Sequence, residues 1–422
     1  MIDARVVFLT HYIPLYQTRV LQSIARQVAD FHVLVSTPIE PNRDFSPDWT
    51  GLNVDVQDTW TYRRRWRHRG DGSFCDSLYI HVPYDTSRRL EALRPDVVLS
   101  LELGARSVGA AMYRRRHRDS RLVLCTYMSE RTEQSRGFMR RFLRRRLLRD
   151  ADAVTYNGPS CLKYLQNFGV PDEKLFALPY AADDRTLYHG SVDRDESATR
   201  HRFIVVGQLT DRKGTVPMMD QVRDYARRRP SRKIEVTCVG EGPHRATLSR
   251  LELPPNVDLR LVGNVPAERL AKLLAGSGAM IAPTLADEWM LAVNEAMQAG
   301  LPVIGSVHAQ AVTTLVRPGI NGWTFDPVLR MGGDTERASA SSLADCLDQY
   351  FAASDDQICQ MRHAAREAVA ERTPAWAAAG ALRSIRHVLN IPPDAEESHE
   401  SASGGGGAHR SPSKPIVASE VH

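Results

Sequence analysis

Short apolar segments alternate with helical segments along most of the chain, and this alternation starts again after a polar link. The first series of predicted strands lies at Val6–Thr10, His32–Ser36, Val97–Leu101, Leu122–Thr126 and Ala153–Tyr156. The second series lies at Phe203–Gly207, Ile234–Gly240, Val257–Val262, Ala279–Ala282 and Pro302–Gly305. Strands that alternate with helices form parallel sheets covered by helices. The sequence therefore predicts an α/β protein with two doubly wound domains joined by a hinge.

The domain boundaries follow changes in composition. A charged link runs from His189 to Arg200, and helical spacing returns from Trp376 to Leu389. The last stretch is rich in Ser and Gly, and it buries too little apolar surface to offset the entropy lost on ordering. The chain thus divides into an N-terminal domain at 1–190, a C-terminal domain at 201–373, a C-terminal helix at 374–391 and a disordered tail at 392–422.

Two observations bear on the cellular compartment. The first apolar run, Val6 to Leu9, has the length of a strand, and no run approaches the roughly 20 apolar residues that span a bilayer. The six cysteines are scattered without a CxxC or Cys/His cluster, which favours reduced core thiols over disulfides or a zinc site. We therefore expect a cytoplasmic protein.

Arginine is concentrated in the first half of the chain. Through Gly190 there are 29 Lys and Arg residues against 22 Asp and Glu residues, and the arginines cluster at Arg63–Arg69, Arg114–Arg118 and Arg136–Arg149. The last cluster, which overlaps a helix predicted at Gly137–Leu148, also contains two phenylalanines. That composition is typical of a helix on an anionic membrane surface, here the inner face, but equally of a solvated basic face. No nucleic-acid-binding module is recognisable, so nucleic acid is not expected as a partner.

The first predicted strand of the second half leads into a loop suited to an anion. Phe203–Gly207 is followed by Arg212, Lys213 and Gly214, and then by a helix. Free backbone amides and the helix dipole attract negative charge at such a point. Arg-Lys-Gly is also a common exposed turn, and neither a P-loop nor a complete dinucleotide fingerprint is present.

Two acids lie on either side of a predicted helix start. Asp287 lies in a loop, and Glu295 lies eight residues later in a helix expected at Met290–Ala299. A carboxylate can accept hydrogen bonds from both hydroxyls of a vicinal diol, as in ribose. Alternatively, Asp287 caps the helix and Glu295 is solvated. Combined with the anion loop, the pair predicts a nucleotide sugar as ligand.

On these residues the chain resembles glycosyltransferase family 4, whose members have the GT-B fold of two Rossmann-like domains facing each other across a cleft. Gly207-Gln208-Leu209…Lys213-Gly214 is similar to the family's Gly-Arg-Leu…Lys-Gly element, and Asp287 through Glu295 to its Glu-x7-Glu element. The resemblance covers most of residues 1–390. It implies retaining transfer of a hexose from a nucleotide sugar to a glycan or lipid-linked acceptor, in polysaccharide or glycolipid biosynthesis, without cofactor or metal.

The resemblance also implies roles for individual residues. Lys213 would stabilise the leaving diphosphate, Glu295 would bind the ribose, and Asp287 would hold hydroxyls of the donor sugar. The further donor-binding residues that it implies are Gly207, Gln208, Arg212, Val265, Met290 and Leu291.

Three positions depart from the family pattern. Gln208 replaces an arginine, Asp287 replaces a glutamate, and Met290 replaces a glycine where the backbone should pass close to the donor. These departures leave open a catalytically silent nucleotide-sugar binding protein of the same fold.

The acceptor should lie against loops at the carboxyl ends of the N-terminal strands. The candidate residues there are Tyr16, Arg19, Glu102 and Glu130, and at each position an ordinary loop residue is an equal alternative. The nucleotide base, the sugar and the acceptor are not determined by the sequence.

Overall fold

The computed structural model describes residues 1–43, 45–68, 73–134, 137–182, 186–329 and 341–392. Arg69 and Arg136, which end two of the arginine clusters, and residues 393–422 of the predicted tail lie outside these ranges. Within the described ranges, no helix combines the length and the apolar character needed to cross a bilayer.

The N-terminal half contains a parallel sheet and a separate hairpin. Its strands are β1 (Ile2–Thr10), β2 (Val28–Val35), β3 (Asn53–Val56), β4 (Thr59–His68), β5 (Phe74–Pro83), β6 (Val97–Leu101), β7 (Arg121–Thr126), β8 (Ala153–Tyr156) and β9 (Leu175–Ala177). Its helices are α1 (Leu15–Ala25), α2 (Thr86–Leu93), α3 (Ala105–Arg116), α4 (Phe138–Asp150) and α5 (Pro159–Gln166). The sheet order is β3-β2-β1-β6-β7-β8-β9, and β4 and β5 form the antiparallel hairpin.

The C-terminal half contains a second parallel sheet. Its strands are β10 (Arg202–Val206), β11 (Ile234–Val239), β12 (Val257–Gly263), β13 (Ala279–Ala282), β14 (Val303–Ser306) and β15 (Gly322–Phe325). Its helices are α6 (Glu196–Thr199), α7 (Thr215–Arg227), α8 (Arg245–Ser249), α9 (Ala267–Ala275), α10 (Ala292–Gln298), α11 (Gln310–Leu315), α12 (Leu343–Ala352) and α13 (Asp355–Glu367). The sheet order is β12-β11-β10-β13-β14-β15.

In each sheet the first strand, β1 or β10, lies in the interior, and later strands are added on both sides of it. In β1, Val6 and Phe8 enter one apolar cluster and Val7 and Leu9 enter another, because successive side chains point to opposite faces. Helices cover both faces, as parallel sheets require. The predicted fold class, two doubly wound α/β domains, is confirmed.

The chain passes between the halves twice. The first crossing runs from β9 through a turn at Thr186–Tyr188 to β10, and the second leads from α13 to a final helix, α14 (Pro374–Val388). This helix packs on α1 and on the N-terminal sheet, with Ala377, Ala381 and Ile385 in the core. Gly380 has no room for a Cβ, which would collide with the carbonyl of Ala177. The C-terminal helix therefore completes the N-terminal half.

Several predicted boundaries were wrong. The sequence pattern predicts the first helix at Arg19–Ala29. This helix begins instead at Leu15, because Pro14 supplies an extended residue directly before the first turn, and it ends at Ala25, where β2 soon follows. The helix expected from Met290 begins at Ala292, since the backbone of Met290 has a positive φ. Within the charged link, Glu196 is buried against Arg362 with Nε–Oε1 at 2.6 Å.

The sequence analysis missed the hairpin β4–β5. Most side chains of β4 are exposed, and several of them, including Arg63 and Arg65, are arginines. The sequence therefore has no apolar run that would identify the paired strands. The cysteine prediction was also partly wrong. Cys125, Cys161, Cys238 and Cys346 are buried free thiols, whereas Cys75 is exposed on the hairpin and Cys359 is half-buried.

Candidate functional site

The anion loop predicted after Phe203–Gly207 lies at the carboxyl edge of the C-terminal sheet. After β10 the chain forms a short turn at Asp211–Lys213 and enters α7 through Gly214, whose φ is 68°. A Cβ on Gly214 would collide with the carbonyl oxygen of Pro283, so this close approach requires glycine. The packing brings Arg212 and Lys213 against the loop that follows β13.

Lys213, Arg212 and Asp287 form one charged cluster. The Nζ of Lys213 lies 2.5 Å from Oδ2 of Asp287, and Nη1 of Arg212 lies 3.4 Å from the same oxygen. Burial alone would raise the pKa of Asp287, but the two cations outweigh it and lower this pKa to about 2. Burial lowers the pKa of Lys213, against the attraction of Asp287. The cluster thus holds two cations and one firmly ionised carboxylate in a site largely removed from water.

Asp287 has a structural contact as well. Its Oδ1 accepts a hydrogen bond from the backbone N–H of Trp289 at 3.3 Å, and its own N–H donates to the carbonyl of His308 at 3.1 Å. One carboxylate oxygen therefore holds the turn before α10, while the other faces Lys213. The capping alternative was wrong, because the N-cap of α10 is Leu291 and the N–H of Trp289 lies before the helix.

Glu295 lies apart from this cluster. It is on α10, where the hydroxyl of Tyr188 donates to its Oε1 at 3.5 Å. Among the described residues, neither Lys213 nor Arg212 forms an ion pair with it. Tyr188 belongs to the first crossing between the halves, so Glu295 lies next to the hinge segment.

The other predicted donor-side residues take varied positions. Gly207 lies next to the aliphatic part of the Lys213 side chain, because a Cβ on Gly207 would be 3.7 Å from Cδ of Lys213. The side-chain amide of Gln208 donates to the carbonyl of Asn42 at 3.1 Å. Val265 and Leu291 are half-buried and pack on the apolar cluster around α10.

Met290 has the backbone conformation that favours glycine, with a φ of 80°. A left-handed conformation costs a residue other than glycine roughly 1–2 kcal/mol. The side chain is only 5% exposed and packs in the apolar cluster with Val293 and Met297. The side chain of Met290 therefore packs into the core of the C-terminal half.

The predicted acceptor-side residues lie on the opposite half. Tyr16 packs on Tyr180 with ring centroids 5.5 Å apart, and Tyr180 stacks on Trp289 of the C-terminal half at 6.0 Å. Burial raises the pKa of Tyr16 well above its usual range. Arg19 is half-buried on α1. This aromatic group joins the two sides of the cleft.

The two predicted acceptor-side acids both have basic partners. Glu102, with a φ of 67°, accepts from Nη2 of Arg106 at 3.1 Å. The Oε2 of Glu130 lies 3.5 Å from Nζ of Lys163, which is exposed on α5. The structure therefore places both acids but does not bring them together.

Polar contacts that the sequence analysis missed connect the two halves. The amide oxygen of Gln310 accepts from the N–H groups of Ser160 and Cys161 at 2.9 and 3.2 Å, and its Nε2 donates to the carbonyl of Glu288 at 2.7 Å. Asn157 donates to the same carbonyl at 2.9 Å. No spacing rule identifies such contacts, because each partner comes from a different segment.

The hairpin β4–β5 also reaches the C-terminal half. Oδ2 of Asp76 accepts from the hydroxyl of Thr210 at 3.1 Å and lies 3.5 Å from Nε of Arg212. Phe74 packs on Leu285. A cavity of about 520 Å³ lies between the hairpin and the anion loop. The hairpin therefore forms one wall beside the charged cluster.

One group of side chains has the composition of a metal site. Possible ligand atoms of Asp193, Cys359 and His363 lie within 4.8 Å of one another among the described residues. Asp193 and His363 are exposed, and Asp193 lies in the first crossing between the halves rather than in the charged cluster.

Two family models match the chain in succession. Residues 16–181 match the model described as glycosyl transferase 4-like domain. Residues 200–348 match the model described as glycosyl transferases group 1. The two matches correspond to the two halves of the structure. No curated protein sequence shows significant similarity to the chain.

Solved structures share the whole architecture. The HepE protein of Anabaena, in complex with UDP, is 14% identical with a TM-score of 0.66, over 90% of this chain and 99% of that one. Sucrose-phosphate synthase of Thermosynechococcus elongatus is 14% identical with a TM-score of 0.64, over 92% and 100%. The lipopolysaccharide outer core galactosyltransferase WaaB is 11% identical with a TM-score of 0.64, over 90% and 99%. At such identities these structures establish the fold.

Proposed function

The chain belongs to the glycosyltransferases of the GT-B type, and we propose that it transfers a hexose from a nucleoside diphosphate sugar to a glycan or lipid-linked acceptor, with retention of the anomeric configuration. The proposed place of this reaction is polysaccharide or glycolipid biosynthesis.

The observation that carries the proposal is the buried cluster of Lys213, Arg212 and Asp287. Sugar transfer leaves a diphosphate, whose negative charge grows as its bond to the anomeric carbon breaks. Fixed cations in a site with little water stabilise such charge, and one well-placed group typically contributes about 3–4 kcal/mol. In the proposed reaction Lys213 faces the leaving diphosphate, Asp287 holds sugar hydroxyls and Glu295 binds the ribose. No metal is assigned a role.

Gln208 and Met290 are the two departures from the family pattern that raise the question of whether the protein catalyses sugar transfer. Arg212 lies beside Lys213 and supplies charge that Gln208 does not. Met290 packs into the core. Both observations support an active transferase over a silent nucleotide-sugar binder.

The exposed surface of α4 supports membrane attachment as part of the proposal. Phe138, Met139 and Phe142 are 78%, 74% and 61% exposed among exposed arginines of the same helix. A solvated basic face needs no exposed aromatic side chains, whereas an interfacial helix uses both. We infer that α4 lies on the anionic inner face of a membrane, where a lipid-linked acceptor would be presented.

A binding screen followed by a transfer assay tests the function. Thermal shifts would be measured with UDP, GDP, ADP, dTDP and their common sugars on the wild type, Lys213→Ala, Glu295→Ala and the control Lys272→Ala, an exposed lysine of α9. One nucleotide should raise the melting temperature of wild type and control and lose its effect in the other two variants. Donor hydrolysis or transfer in the presence of EDTA should follow, with retention visible by nuclear magnetic resonance. Binding without turnover would instead establish a silent binder.

A further inference from the structure

Glu288 lies where the two halves meet. Its carbonyl accepts hydrogen bonds from Asn157 of the N-terminal half at 2.9 Å and from Gln310 of the C-terminal half at 2.7 Å. Its backbone is therefore fixed by both halves at once. The next residue, Trp289, stacks on Tyr180 across the same boundary. The side chain of Glu288 is half-buried at this boundary.

Ionisable groups from both halves interact electrostatically with the carboxyl group of Glu288. They are Tyr16, Glu102, Glu133, Cys161 and Tyr180 from the N-terminal half and Arg212 and Asp287 from the C-terminal half. This set includes members of the charged cluster and predicted acceptor-side residues. The carboxyl group is thus within electrostatic range both of the charged cluster proposed for the donor and of residues predicted for the acceptor.

The neighbouring carboxylates already have cationic partners. Asp287 pairs with Lys213 at 2.5 Å, Glu102 pairs with Arg106 at 3.1 Å, and Glu133 pairs with Arg144. Across the described part of the chain, the carboxyl group of Glu288 forms no hydrogen bond or ion pair. A carboxyl group that is partly removed from water without a protein partner is available to a ligand hydroxyl.

We propose that Glu288 binds the reacting hydroxyl of the acceptor and takes up its proton during transfer. This proposal rests on the proposed function. The acceptor oxygen forms a bond to the anomeric carbon on the face from which the diphosphate leaves, as the proposed retention requires. The bond from that carbon to the diphosphate oxygen breaks, and its electron pair leaves with the diphosphate beside Lys213. The proton passes from the hydroxyl to the Glu288 carboxylate, which releases it to solvent after the product departs.

The surroundings of Glu288 suit a proton acceptor. Burial, reinforced by the negative charges of Glu102 and Glu133, raises the pKa of Glu288 to about 8. Its carboxylate is therefore a stronger base than an ordinary one, and catalytic groups work best when their pKa lies near the operating pH. The value of kcat/KM reports ionisations of the free enzyme, so it should rise with pH and level off above about 8.

The experiment compares the full-length wild type with Glu288→Gln, Glu288→Asp and the control Glu268→Gln, which removes an exposed carboxylate of α9. Transfer from UDP-glucose to octyl glucoside and hydrolysis of UDP-glucose would be followed across neutral and alkaline pH. Glu288→Gln should lose transfer by roughly 10²–10⁴-fold, together with the rise with pH, because a general base has gone. Its UDP affinity and donor hydrolysis should match those of the control, and Glu288→Asp should recover part of the transfer.

Two results would overturn the role of Glu288. One is transfer by Glu288→Gln at the wild-type rate; the other is a pH profile that the substitution leaves unchanged. Calorimetric binding of octyl glucoside to the UDP-loaded protein needs no turnover and gives a separate test. This binding test uses Glu288→Ala, because the amide oxygen of a glutamine could still accept a hydrogen bond from the hydroxyl. Wild-type affinity in Glu288→Ala would exclude the carboxyl group from the acceptor site. Absence of any UDP response in the wild type would count against the proposed function instead.

Discussion

The two halves share a doubly wound topology but distribute their candidate functional residues differently. In the C-terminal half, Lys213 and Asp287 lie in two loops after strands β10 and β13, which are neighbours in the sheet. In the N-terminal half, Tyr16 on α1 and the loop residues Glu102 and Glu130 also follow neighbouring strands, β1, β6 and β7. Each of these three has a partner of its own, which is Tyr180, Arg106 or Lys163, whereas Lys213 and Asp287 pair with each other. Side chains that do not depend on one another can change with the acceptor while the fold stays the same.

The comparison predicts its largest effect at Lys213. Lys213→Ala should lower sugar transfer by roughly 10²–10³-fold, because the leaving diphosphate loses a fixed cation. Steady-state kinetics on a nucleotide sugar would measure it, with Lys272→Ala as the control. Equal activity of the two variants would remove the charged cluster from the mechanism.

The next effect concerns the contacts that join the halves. Gln310→Ala leaves the N–H groups of Ser160 and Cys161 and the carbonyl of Glu288 without this partner. The expected loss of stability is about 2 kcal/mol, typical of buried polar groups that lose a hydrogen bond. Thermal unfolding would be compared with Gln349→Ala, an exposed glutamine of α12. Equal melting temperatures of the two variants would show that the halves hold together without Gln310.

A somewhat smaller effect is expected at the exposed face of α4. Replacing Phe138 and Phe142 with Ser should weaken binding to anionic vesicles about tenfold, because apolar side chains no longer enter the interface. Cosedimentation with phosphatidylglycerol vesicles would measure it, and Met112→Ser, on an exposed position of α3, is the control. Binding that depends on salt but not on the phenylalanines would indicate a purely electrostatic surface.

The smallest effect is the pH dependence of stability at Glu288. The raised pKa means that the folded chain binds this proton more tightly than the unfolded chain, so its stabilising contribution is complete at acidic pH and is lost as pH rises through about 8. Glu288→Gln should therefore gain stability relative to wild type as pH rises, on the order of 1 kcal/mol. Melting temperatures at several pH values would show it; a difference independent of pH would contradict it.

The elements that the sequence predicts correctly are those whose residues form a recognisable local pattern. Apolar strands such as Val97–Leu101 and Ala153–Tyr156 were predicted at their observed bounds, because buried parallel strands are continuous apolar runs. The hairpin β4–β5 was missed because its strands are half exposed and carry arginines. The loop positions of Lys213 and Asp287 could be predicted from spacing. Glu288 could not, since its setting depends on Asn157 and Gln310, which are distant in sequence.

The two chain crossings have a consequence for movement. A single flexible connection would let the halves rotate freely, whereas two connections fix two points on each half. Opening can then occur about the line through both points, but twisting would stretch one of the connections. Each closure should therefore return Asp76 of the hairpin to Thr210 and Arg212 in the same register. Cutting the chain within the first crossing should leave the halves tethered while freeing that rotation, so both connections together preserve the alignment of the reacting groups.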